Sequence, residues 1–192
     1  ITTGYKFAAG LVANAAGATT VTNCRSSVKI VSSVDGDGTH GGFVAVGNVI
    51  FEGCLFDGSI IGEQTILCAG FLGYTAGGNF DCVNCLFDAK AIKTADKTAN
   101  FIRTSNNATN SYYIQPIGQG RDRGKQVHSI TAGDGVDIDF GESTEYDVSG
   151  ITIYAGKTGL KCGGSLYVLP GDEITLNLEH NDPEDGKLFL GY

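Results

Sequence analysis

A motif that returns about every thirty residues constrains this chain more than any other feature. "TNCRSSVKI" (Thr22 to Ile30), "EGCLFDGSI" (Glu52 to Ile60) and "VNCLFDAKA" (Val83 to Ala91) are versions of one segment. A second marker keeps the same step: "AGLVA" from Ala9, "GGFVA" from Gly41, "AGFLG" from Ala69 and a degenerate "ANFIR" from Ala99. A unit this short cannot bury its own apolar face. Copies must stack, so the repeat predicts a solenoid.

Each unit reads as three short strands. In the middle unit Phe43 to Val46 is apolar and Gly47–Asn48 is a turn signal. "VIFE" follows, Gly53 turns a corner, and "CLFDGSII" runs on. Alternation puts Cys54, Phe56, Gly58 and Ile60 on one face, and Leu55, Asp57, Ser59 and Ile61 on the other. The inward set recurs as Cys24, Ser26, Val28 and Ile30, and as Cys85, Phe87, Ala89 and Ala91. Asn23, Gly53 and Asn84 precede the cysteines. These residue types accept left-handed backbone, which marks a corner. No 3.6-residue pattern appears, and 29 glycines against 3 prolines favour many tight turns over helices.

The chain is therefore expected to be all-β. Residues 1–118 are read as a right-handed parallel β-helix, or solenoid, of about four rungs, with Cys24, Cys54 and Cys85 in an inward column and Phe56 stacked on Phe87. Residues 119–126, "QGRDRGKQ", read as a linker or exposed loop. Residues 127–192 read as short antiparallel strands in a small β-sandwich-like module, ending in a turn and one more strand in "HNDPEDGKLFLGY".

"GLVA", "GFVA" and "GFLG", each followed by an NC or GC step and an apolar strand, resemble the GLUG motif of repeated segments in bacterial cell-surface and secreted proteins. Some large surface proteases and adhesin-like proteins carry such segments. The resemblance covers residues 5–103. It implies a scaffold without catalytic residues of its own, located outside the cell or on its surface. The fourth unit departs from the motif, with Asn100 for Gly and "NSYYI" at the cysteine step, and reads as a capping end. The second half is similar to β-rich modules that follow such repeats in surface proteins of gut-dwelling bacteria.

A net charge of −8 and a pI near 4.7 argue against nucleic acid, whose phosphates need a cationic face. No apolar run approaches the roughly 20 residues of a membrane span. The opening "ITTGYKF" has neither Met nor a basic start, and the chain stops right after an apolar strand. It is expected to be a fragment or a processed product.

Several residue sets carry possible chemistry. Asp35 and Asp37 in "VDGDGTHGG" could offer oxygens to calcium as a cofactor, although the distal Glu of a full calcium loop is missing. A glycine-rich turn between rungs is the plainer reading. Asp57 and Asp88 are expected on adjacent rungs about 5 Å apart, a spacing that suits a metal, an acid–base pair or a retaining glycosidase. Stacked copies produce such a pair automatically, and Ser27 replaces the acid in the first unit. Cys82 and Cys85 in "CVNC" fit half a zinc site or a redox pair, but no second such pair exists. They read as small buried hydrophobes, with no disulfide in the column. Tyr112 and Tyr113, with Tyr74, offer either a sugar-stacking strip or a cap on the last rung. His40, His128 and His180 are scattered, and no nucleophile signature occurs.

The expectation is a non-enzymatic, extracellular, adhesin-like or structural segment. Its partners would be a glycan or protein, of host or microbe, or other copies meeting through sheet edges or solenoid ends. The alternatives are a carbohydrate-active β-helix lyase or hydrolase and a carbohydrate-binding module.

Overall fold

Two left-handed residues per turn decide where this chain bends. The computed structural model describes residues 1–78, 80–105, 107–131, 136–139, 142–146, 150–154, 159–171 and 175–178. The first set of corners is the expected one: Asn23, Gly53 and Asn84 have φ of 53°, 60° and 51°, and Asn110 continues the set at 43°. Ser111 thus takes the cysteine position in the fourth turn. The second set lies at Phe7, Thr39, Leu67 and Lys97, with φ from 44° to 69°. These residue types enter left-handed backbone at a cost of roughly 1–2 kcal/mol each. Cross-turn hydrogen bonds beside each corner hold it there, from Gly41 N–H to Ala8 O (3.0 Å), Ala69 N–H to His40 O (2.9 Å) and Ala99 N–H to Cys68 O (3.0 Å).

Between corners the strands stack into three parallel sheets, making a β-solenoid of about four turns. Face I holds Arg25–Ser26, Leu55–Phe56, Leu86–Phe87, Tyr112–Tyr113 and Lys125–Gln126. Face II holds Thr2–Thr3, Lys29–Ser32, Ser59–Ile66 and Ala91–Asp96, with Gly36–Asp37 beside the third of these. Face III holds Val12–Thr22, Val44–Glu52 and Asp81–Val83, with Leu72–Thr75 beside the second. The expected turn at Gly47–Asn48 is not a turn. Both residues lie inside Val44–Glu52. The neighbouring strand carries a register shift between Ala15 and Ala18 opposite these two residues.

The interior is built of phenylalanine columns. Phe56 pairs in register with Phe87, their rings 5.7 Å apart and 25° from parallel. A second column runs Phe43–Phe71–Phe101 at 5.0 Å per step. Phe51 wedges against it, 5.5 Å from Phe43 and 5.4 Å from Phe71. Removing one such ring typically costs about 3–5 kcal/mol.

The second half adds a five-stranded antiparallel sheet in the order His128–Ile130, Ser165–Val168, Gly159–Cys162, Ile151–Tyr154, Ser143–Tyr146. Val136–Asp139 and Thr175–Leu178 pair separately. The larger sheet lies on the outer side of face I. Leu55, Leu86 and Tyr112 share a buried cluster with Val127, Tyr146, Ile151, Ile153, Leu160, Cys162 and Tyr167. Face I therefore supplies the layer opposite this sheet. The expected last turn and strand, in residues 180–192, lie outside the described residues.

Residues 119–126, expected as a linker or exposed loop, close the end of the stack. Gln119 accepts from Thr98 N–H (2.8 Å) and donates to Thr94 O (3.1 Å). Asn100 donates to Arg123 O (2.8 Å) and accepts from Arg123 N–H (2.9 Å). Lys125–Gln126 then pairs with Tyr112–Tyr113 as a last strand of face I. Asn100, where the repeat expects Gly, is what ties this segment down. No helix among the described residues is long and apolar enough to cross a membrane.

Candidate functional site

The corner at Thr39 gathers the most chemistry. Asp37 sits on its approach and is held by three side chains. Lys6 Nζ lies 2.8 Å from Oδ2, Thr39 Oγ1 donates to Oδ1 (2.6 Å), and Arg103 Nη1 lies 3.6 Å from Oδ1. Arg103 comes from the fourth turn. It also donates to Thr39 Oγ1 and to Leu67 O, both at 3.2 Å, and places its guanidinium 4.8 Å from the Tyr74 ring. Lys6, Asp37, Leu67 and Arg103 belong to successive turns, so one ionic chain crosses the whole stack. Burial acts to raise the Asp37 carboxyl, but the Lys6 and Thr39 hydrogen bonds and the Arg103 charge outweigh it and hold it below the usual range. Burial pushes Arg103 down, against the pull of Asp37.

This arrangement bears on the calcium reading of Asp35 and Asp37. The Asp37 oxygens face two cations, and among the described residues no hydrogen bond or ion pair joins the Asp35 side chain to the network. Among the described residues, no group of three or more His, Cys, Asp or Glu side chains is placed to hold a metal ion.

His40, one residue past the corner, is fully buried. Ala8 N–H donates to Nδ1 (3.1 Å), which fixes the proton on Nε2, 2.8 Å from Ser32 Oγ. Ser32 Oγ stands 3.0 Å from Thr65 Oγ1, which donates to Val34 O (2.7 Å). Burial holds the imidazole below its usual pKa, with the Asp37 charge acting the other way. Because Nδ1 receives a backbone N–H, no carboxylate orients this ring as a catalytic base would need.

Asp57 and Asp88 do occupy neighbouring rungs on face I, beneath the C-terminal sheet. Asp57 is buried and takes Arg25 Nη2 (2.5 Å), Arg25 Nε (3.1 Å) and Ser27 Oγ (2.5 Å). Burial alone would raise its pKa, but these hydrogen bonds and the charges of Arg25 and Lys90 lower it. Asp88 moves up, through burial and the adjacent Asp57 charge. A cavity of about 220 Å³ lies alongside, between Phe87, Ala89, Lys90 and the 115–117 segment. Neither carboxylate lines it.

The thiols form the expected inward column. Cys24 is half-buried, while Cys54, Cys82 and Cys85 are fully buried. Cys82 lies in register with Phe51, and Phe51 with Val21. Contact with Cys85 and burial push Cys54 up, and burial pushes Cys82 and Cys85 up. Burial and contact between neighbouring thiols thus favour the neutral thiol form in this column. The three tyrosines form no strip. Tyr112 is buried under the C-terminal sheet, Tyr113 packs against the solenoid core, and Tyr74 is exposed beside Arg103 on another face.

Comparison with protein-family models, with curated proteins and with solved structures finds no match to this chain. The residues that organise the corner, Arg103, Lys6 and His40, were not singled out from the sequence. The one available signal was Arg103 at a repeat position that elsewhere holds Ala13, Ala45 and Gly73.

Proposed function

We propose that this chain is a non-enzymatic scaffold segment of a bacterial surface or secreted protein, adhesin-like in its use of a repeat to present binding or assembly surfaces. The observation that carries the reading is where the acids go. Asp37 is bound by Lys6, Thr39 and Arg103, and Asp57 by Arg25 and Ser27, each joining one coil to others. Carboxylates spent on holding coils together are not poised over a substrate cleft. The likeness of "GLVA", "GFVA" and "GFLG" to the GLUG motif supports the same reading and an extracellular or cell-surface location. Partners of this class would be a glycan, a protein or other copies.

A single observation favours a carbohydrate-active enzyme instead. Asp57 and Asp88 are neighbouring carboxyls driven in opposite directions, the pattern of an acid and a base. The C-terminal sheet over them weighs against it. A polysaccharide panel read for new reducing ends tests both. The scaffold reading expects no cleavage, and cleavage abolished by Asp57→Asn would replace it. A glycan array run with and without calcium then asks whether Asp35→Ala and Asp37→Ala change binding.

A further inference from the structure

Face III carries an insertion in its third coil. Gly47 pairs with Thr75 and Ile50 with Asp81, so a step of three residues (47 to 50) becomes a step of six (75 to 81). The added chain turns at Gly77 and Gly78, with φ of 79° and 109°. In repeat folds such insertions gather on the binding face. A cavity of about 300 Å³ opens here, on the side of the stack. It is lined by Ile50 from the second coil, Gly78, Phe80 and Asp81 from the third, and Asn107 from the fourth. That volume is at the low end for a small-molecule site. The polar groups left over in it accept and do not donate. Asp81 Oδ2 takes the Thr109 hydroxyl (2.9 Å), while Oδ1 is buried and meets no donor. Asn107 Nδ2 donates to Phe80 O (3.0 Å), which leaves that amide its Oδ1. Among the described residues no lysine or arginine lines the cavity, and Asp81 joins no ion pair. A carboxylate partly shut off from water and held by one hydroxyl is poorly compensated. A donor bearing positive charge would offset that. Ile50, 36% exposed, and the partly buried Phe80 supply apolar wall beside it.

We infer that this cavity binds a primary alkylammonium, its stem against Ile50 and Phe80 and its charged head between Asp81 and Asn107. Three features select that ligand. A guanidinium grips a carboxylate by both oxygens, and Asp81 has only Oδ2 to offer, which suits the compact charge of an ammonium. A divalent metal needs several ligands, and among the described residues no group of three or more His, Cys, Asp or Glu side chains is placed to hold one. A neutral polyol needs donors for its own oxygens, and both free groups here are acceptors. A free amine and a lysine side chain of a partner protein offer the same chemistry. The site adds a ligand to the scaffold reading and does not depend on it.

Amide chemical shifts of the isotope-labelled full chain, titrated with cadaverine and separately with Nα-acetyl-lysine amide, test this. The expected result is saturable shifts gathered around Ile50, Gly78, Phe80, Asp81 and Asn107. Asp81→Asn keeps the side-chain shape and an acceptor for Thr109, and should weaken binding at least about tenfold with the melting curve retained. Asp96→Asn removes the same charge from an exposed position on face II and should leave binding unchanged. Acetylating Nε of the lysine derivative removes the ligand's charge without touching the protein and should abolish its binding. Tighter binding of cadaverine assigns a free amine, and tighter binding of the lysine derivative assigns a partner's side chain; either upholds the site. No saturable shift with either amine overturns the proposal. So do shifts that survive Asp81→Asn or Nε-acetylation, shifts lost in Asp96→Asn, or methyl α-glucoside binding as tightly as the amines. Polysaccharide cleavage by the unmodified chain overturns the scaffold reading and leaves this site standing.

Discussion

The Tyr146 ring occupies the space that a side chain at residue 53 would fill. A Cβ built on Gly53 would stand 2.1 Å from Tyr146 Cδ1. The equivalent corners are Asn23, Asn84 and Asn110, so the repeat itself accepts Asn here. Gly stands at a corner packed against the Tyr146 ring, and the next corner grips the same residue, Asn84 Nδ2 donating to Tyr146 Oη (2.6 Å). Gly53→Asn should therefore leave the solenoid wound but lift the sheet from face I, at a cost of about 1–3 kcal/mol. Hydrogen exchange checks it. Protection should fall around Ile151–Tyr154 and Gly159–Cys162 and persist at Val44–Glu52.

The ionic chain predicts unequal losses from its members. Arg103 is buried and binds three partners in other coils. Arg103→Met should cost about 2–3 kcal/mol, as for buried hydrogen bonds to a charged group, or roughly 5–10 °C in melting temperature for a chain of this length. The Lys6–Asp37 pair is substantially exposed, so Lys6→Ala should cost under about 1 kcal/mol, an effect that salt erases. Equal losses from the two substitutions would contradict this ordering.

Phe71 touches Phe43, Phe51 and Phe101. Phe71→Ala should destabilise by about 3–5 kcal/mol. Ile50→Ser, at a position 36% exposed, should stay within about 0.5 kcal/mol. Urea unfolding at constant m-value reads both.

His40 sets a pH dependence. Its native pKa lies below the unfolded value of about 6.5, so the unfolded chain binds the proton first as pH falls. The stability tied to neutral His40 is complete above about pH 6.5 and is lost as pH drops toward the depressed native value. The urea midpoint should fall between pH 7.5 and 5.5, and His40→Gln should flatten that slope while lowering stability throughout.

What the sequence made legible was whatever rested on residue type or on a period of two. Asn23, Gly53 and Asn84 announced their corner because few residues tolerate that backbone. Phe56 and Phe87 announced their contact because equal positions in equal coils must coincide. The second corner was illegible, since Phe7, Thr39, Leu67 and Lys97 share no chemistry and are held by the hydrogen bonds around them. Gly47–Asn48 misled for the complementary reason: its local turn preference is overridden by sheet partners on both sides. The closing segment read as solvated because its charges and amides hid their targets, Asn100, Thr94 and Thr98. At the candidate site Asp37 was visible, while Lys6 and Arg103, 31 and 66 residues away, become its neighbours only through the winding.

A pile of coils tied only to their nearest neighbours gives way under tension one coil at a time, like a spring unwinding from its end. The run from Lys6 through Asp37 to Arg103 acts as a bolt through that pile, because a coil cannot leave without breaking contacts two coils away. Pulled along its axis, this solenoid should hold as one block until the bolt fails, and only then pay out its length.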